Sequence, residues 1–133
     1  MNRIIALLLT AILLQACAAV DDSKKSIGLD KTLYYYESAM RWADFPAANS
    51  LRRYEGDPAP VTNPEKLGRI KITGYDIVST NPSEDESAVY ITVKISYYDE
   101  DNLKLRSLVD NQVWQFDENQ KTWYISTPLP VFK

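Results

Sequence analysis

No histidine occurs in this 133-residue chain, and there is a single cysteine. The first absence removes histidine-based triads, imidazole general bases and most zinc or iron sites. The second means that no disulfide can form within the chain, so its folded part must be held by its core alone. Basic residues are also scarce relative to acidic ones, 15 against 18, and they form no stripe. Nucleic acid is therefore not expected as a partner. The chain has instead an excess of large rings, nine tyrosines and three tryptophans.

The lone cysteine closes an apolar leader. Met1, Asn2 and Arg3 precede a run from Ile4 to Leu14 broken only by Thr10. A cationic start, a short apolar run and a small-residue processing site form the layout of a secretory signal peptide, and the run is too short for a transmembrane helix. Leu14-Gln15-Ala16-Cys17 resembles the bacterial lipobox. That resemblance implies cleavage between Ala16 and Cys17, a diacylglycerol on the Cys17 sulfur and, as a rule, a further acyl chain such as palmitate on the new amine. One acyl chain binds a membrane only marginally, at about 0.8 kcal/mol per buried methylene, whereas two or three hold firmly. Ala18 stands where an aspartate would favour the inner membrane, so the resemblance implies the outer membrane, facing the periplasm.

Removing residues 1–16 takes away one charge, Arg3, and leaves a mildly acidic chain of one domain's length. Residues 17–28 read as the lipidated N-terminus and a flexible tether, and residues 29–133 as a single α+β domain. Asp30 is the expected N-cap of a long helix on which Leu29, Leu33, Tyr36, Met40 and Ala43 share one face. Ala39, Tyr35 and Trp42 widen that face, while Tyr34, Glu37 and Arg41 lie opposite. Pro46 suits the start of a second helix carrying Ala47, Leu51 and Tyr54. The three prolines and one glycine of "GDPAPVTNPEK" predict an irregular connection.

Beyond Leu67 the period becomes that of strands. Ile70 and Ile72 alternate, then the phase shifts at Gly74 to Tyr75 and Ile77, which predicts a bulge. Val89, Ile91, Val93, Ile95 and Tyr97 form the inner row of a second strand, and Tyr90, Thr92, Lys94, Ser96 and Tyr98 its outer row. "DEDN" is a turn into a third strand, "LKLRSLVDNQVWQF", with a phase slip expected near Ser107. "DENQ" leads to a fourth, "KTWYIST", which Pro128 and Pro130 stop. Helices followed by short-looped strands predict an α+β fold, helices packed on a curved four-stranded antiparallel sheet.

Carried by "YYYESAMRWADF", "DNQVW" and "KTWYISTPLP", residues 29 to 130 resemble the cystatin-like cone of the nuclear transport factor 2 superfamily, and most closely its small bacterial lipoproteins. The superfamily holds isomerases, dehydratases and cyclases together with non-catalytic binding domains, so fold does not select among them. Asp76 and Asp110 are the carboxylates set within strands. With one phase from Leu108, the residues Leu108, Asp110, Gln112, Trp114 and Phe116 share a face. Asp110 and Gln112 are then polar groups among large apolar ones, either the base and donor of a reaction site or a hydrogen-bonded pair supporting the sheet or a neighbouring loop. With Trp114 they are the candidate binding residues. The acidic runs "DEDN" and "NPSEDES" lack the glycine and spacing of calcium loops and read as turns. The expected function is a membrane-anchored, non-catalytic module binding another envelope component, or a second copy through Tyr90 and Tyr98, with no cofactor. The alternative is an isomerase or dehydratase with Asp110 as base.

Overall fold

The computed structural model describes the backbone of residues 2–53 and 63–133, with side chains from residue 21 onward. Helix α1 spans Asn2–Arg41, α2 Phe45–Asn49 and α3 Pro64–Arg69; strands follow as β1 Ile70–Pro82, β2 Ala88–Asp99, β3 Arg106–Asp117 and β4 Thr122–Ile125. The strands pair in chain order as an antiparallel meander, curved around the helix, in the α+β class.

The inner row of β2 is buried throughout, and β3 and β4 add Trp114, Trp123 and Ile125. Tyr36, Ala39 and Met40 on α1 close the core from above. The Tyr36 ring meets Trp114 edge-on, with centroids 5.2 Å apart. At the far end Phe132 packs against both Phe45 and Tyr97. Along α1, Tyr36 is buried while Tyr34 and Tyr35 are exposed, and Glu37 pairs with Arg41 at 2.8 Å.

Several expectations need correcting. Residues 21–28 are not an irregular tether but part of α1. Contacts across the fold stabilise this helical turn: the Trp123 indole N–H donates to the Lys25 carbonyl, and the Lys25 ammonium sits 4.6 Å above the Phe116 ring. Helical stability in proteins comes mostly from such packing. Asp30 consequently lies inside the helix rather than capping it. Trp42 is 84 % exposed, because α1 ends at Arg41 and Ala43 turns the chain with φ 53°. The second helix lasts only five residues, capped by the Asp44 carboxylate accepting from the Ala47 N–H; Tyr54 lies outside the described residues. "NPEKLGR" contributes α3, since Asn63 caps its first turn and Pro64 suits the first helical position.

The bulge near Gly74 is present, and the close approach explains the glycine: a Cβ there would stand 3.3 Å from that of Ser96. A second register shift between Ile77 and Ser79 went unforeseen, and with it Ile77 is half exposed rather than in the core. Asp76 is exposed as well. β3 shows no phase slip, because its register against β2 is continuous from Ala88↔Gln115 to Tyr97↔Arg106. Leu103 and Leu105 precede the strand, exposed, with Leu103 at φ 52°. β4 ends at Ile125, although the Ser126 N–H still donates to the Val113 carbonyl.

Candidate functional site

Asp110, Gln112 and Trp114 alternate along β3, so their side chains emerge on the same, inner face of the sheet. Directly opposite on β2 stand Val93, Ile91 and Val89, which surround the two polar groups with hydrocarbon. Gln112 is the hub. Its amide nitrogen donates to the Asp110 carboxylate at 2.8 Å and to the Tyr75 hydroxyl at 3.0 Å. Its oxygen accepts from the Trp114 indole at 3.0 Å. Tyr75 belongs to β1, two strands away, and reaches Gln112 across the inner face of the sheet.

Burial pushes the Asp110 carboxyl above the usual carboxylate range, against the opposing pull of the Gln112 hydrogen bond and the Arg52 charge. Burial likewise raises the Tyr75 hydroxyl, with the Gln112 contact opposing. Desolvation favours the neutral form of each acid.

Arg52 was not foreseen as part of this group. Leu51–Arg53 runs beside β4 in a short parallel bridge, with the Arg53 N–H donating to the Ile125 carbonyl and the Ile125 N–H to that of Leu51. Extended backbone sends neighbouring side chains to opposite sides. Arg52 therefore turns inward, donating to the Thr127 carbonyl at 2.8 Å and the Tyr36 hydroxyl at 2.7 Å, while its NH1 is buried without a partner. Arg53 turns outward to Asp117 at 2.6 Å. "SLRRYE" read as helix hid this split; an extended reading of Arg52-Arg53 was the one signal that could have found it.

Asp110 also borders a shallow groove of about 260 Å³ beneath the C-terminal segment. The other lining residues are Leu108, Val109, Asn111 and Thr127 to Val131, so no second titratable group meets it there. A larger groove, about 420 Å³, lies between α2 and α3 and is lined mostly by apolar side chains such as Phe45, Leu67 and Leu129. A third, about 380 Å³, separates α1 from the β3–β4 turn; there Lys25 and Lys121 both face Glu118.

The remaining candidates are not brought to the network. Tyr90, half exposed, and Tyr98, half-buried, stand at opposite ends of the outer row of β2, with Lys94 between them. Ala16 and Cys17 lie in the backbone of α1, their side chains outside the described residues. In the acidic runs, Asp85 accepts from Ser83 and Ser87, which lowers its carboxyl to about 2, and Asp99 accepts the Asp101 N–H. Among the described residues no group of three or more His, Cys, Asp or Glu side chains is placed to hold a metal ion. Comparison with protein-family models, with curated proteins and with solved structures returned no match.

Proposed function

We propose that this chain is an envelope lipoprotein, cut before Cys17 and anchored by lipid on that residue. It faces the periplasm, from the outer membrane as Ala18 after the cysteine favours, and acts as a non-catalytic binding or assembly module of the cystatin-like, nuclear transport factor 2-like kind. The anchor rests on Leu14-Gln15-Ala16-Cys17 at the end of an apolar leader. The fold assignment rests on helices followed by a four-stranded antiparallel meander, a layout compatible with that superfamily.

The observation that carries the non-catalytic reading is how Gln112 is used. It is 2 % exposed and Trp114 0 %, so the groups a reactive cone would offer to a substrate are spent on one another. A base needs a substrate proton within hydrogen-bond reach. The carboxylate oxygen of Asp110 that meets Gln112 is already occupied, and the groove beside it brings no second titratable group. The partner is another envelope component or a second copy of the chain.

Two measurements test the reading. Replacing Cys17 with serine should block processing and lipid labelling; a Cys17→Ser chain that still partitions with membranes at the mature mass would overturn the anchor. Cross-linking of intact envelopes followed by capture of the lipidated protein should return a discrete partner or a cross-linked dimer. A captured species that is monomeric and alone would overturn the binding role.

A further inference from the structure

α1 carries a second apolar face that the other described residues leave exposed. Ile27 is 51 % exposed, Tyr34 76 %, Tyr35 50 % and Trp42 84 %. At 3.6 residues per turn Ile27, Tyr34 and Tyr35 fall within an arc of roughly 100°, together with Lys24, Lys31 and Ser38. Trp42, one residue past the helix end with its N–H still donating to the Ser38 carbonyl at 3.1 Å, continues that face. Tyr36 and Met40, which enter the core, point the other way. Among the described residues, none of the three exposed rings has a hydrogen-bond or ring partner, and neither Lys24 nor Lys31 has an ion-pair partner. Large exposed hydrophobic side chains gathered on one side of a molecule mark an interaction surface.

We propose that this face of α1 rests on the phospholipid surface, with the helix lying along the membrane rather than standing away from it. The composition fits that occupant. Tryptophan and tyrosine concentrate where hydrocarbon meets headgroups, and lysine stems lie along the boundary with the ammonium toward phosphate. Helices that lie in this interface pair such rings with lysines. Local charge agrees, although the whole chain is net −3. Arg41 is held by Glu37, which leaves Lys24 and Lys31 as the charges on the arc itself, with Asp30 and Asp21 about 40° beyond its two edges. Unpaired lysines between the rings match an anionic lipid surface, which attracts basic side chains held close to it.

Geometry supplies the second argument, and this part rests on the lipoprotein reading. Cys17 lies ten residues before Ile27 on the same helix, about 15 Å along the axis at 1.5 Å per residue. The Trp123 bond to the Lys25 carbonyl and the Lys25–Phe116 contact fix the domain to that helix, so the anchor orients the domain instead of trailing it. Ile27 to Trp42 spans roughly 22 Å, and contact along that whole length requires the axis to lie in the membrane plane.

Trp42 reports the contact directly, since Trp114 and Trp123 are buried. Protein purified from membranes is weighed intact, then placed in phosphatidylethanolamine–phosphatidylglycerol vesicles with brominated or plain acyl chains. The difference in emission between wild type and Trp42→Phe isolates Trp42. Bromine should remove most of that emission, and Ile27→Ser with Tyr34→Ser, both at exposed sites, should restore much of it. If the mass shows lipid on Cys17 and bromine leaves Trp42 unchanged, the face does not lie on the bilayer and serves a protein or water. If the mass shows no lipid, the lipoprotein reading fails by itself. Vesicles added to that unmodified chain then decide the face alone: quenching supports it and no quenching overturns it.

Discussion

The inner and outer faces of the sheet are made from alternate residues of the same strands, yet β2 and β3 sort those residues by different rules. On β2, apolar goes in and polar goes out: no residue of the inner row is more than 5 % exposed, while Tyr90 is half exposed and Lys94 faces solvent. On β3 the middle of the strand is inverted. Val109 is 64 % exposed, whereas its neighbour Asp110 and then Gln112 are buried. Hydropathy alone would have turned that stretch over. Continuous register against β2 and the demands of Trp114 and Phe116 further along hold it in place, because a one-residue slip moves every side chain to the other face. The buried polar pair is tolerated because Gln112 joins Asp110, Tyr75 and Trp114 into one network.

The sharpest way to break this difference is at the strand's anchor. Trp114→Ala removes a fully buried ring along with the indole donor that Gln112 accepts. It should cost about 3–5 kcal/mol in chemical denaturation. Trp123→Ala should cost nearly as much, since it loses both burial and the bond to Lys25. Losses below about 1 kcal/mol at both positions would place the rings outside the core.

Next comes the hub. Gln112→Leu preserves approximate volume but strips partners from the Asp110 carboxylate, the Tyr75 hydroxyl and the Trp114 indole. A buried polar group left unsatisfied costs about 1–3 kcal/mol. The variant should lose at least about 2 kcal/mol. A neutral result would show that hydrocarbon could have filled β3 as it fills β2.

Asp110→Asn tests the charge apart from the shape. Burial holds the Asp110 carboxyl above its unfolded value, so the folded chain keeps this proton at pH values where the unfolded chain has lost it. Stability from the protonated form is therefore full below the unfolded value and declines as pH rises through the folded one. Asparagine has no such decline and still offers an oxygen to Gln112. Relative to wild type, the variant should gain stability from about pH 4 toward neutrality, seen as a widening gap between unfolding midpoints. A gap constant with pH would mean that Asp110 titrates as it does in water.

The outer face should respond least in stability. Tyr90→Glu with Tyr98→Glu should change unfolding by no more than about 0.5 kcal/mol per site, as surface substitutions do. If this face pairs with a second copy or an envelope partner, the double variant should nevertheless abolish association in sedimentation. A wild-type monomer that captures no partner through this face would leave only the ordinary strand preference of tyrosine.

Much of the architecture was legible in local pattern. The alternation of Val89 to Tyr97, the i, i+4 pair of Glu37 and Arg41, the bulge at Gly74 and the "DENQ" turn each depend on neighbours a few residues apart. Such features follow from backbone periodicity and turn chemistry, which any short window carries. Asp110, Gln112 and Trp114 on one face were legible for the same reason.

What no window carries is which distant groups meet. That residues 21–28 are helical depends on Trp123 and Phe116, nearly a hundred residues on. That Arg52 turns inward depends on its segment lying beside β4, and that Gln112 is satisfied depends on Tyr75 reaching over from β1. Composition and periodicity thus determined the α+β class and the inner row of β2. Tertiary structure alone decided how the buried polar groups are satisfied and which face of α1 the other described residues leave exposed. Hydrogen bonds and packing between remote segments exist only once the chain has closed, and their energies override local preference.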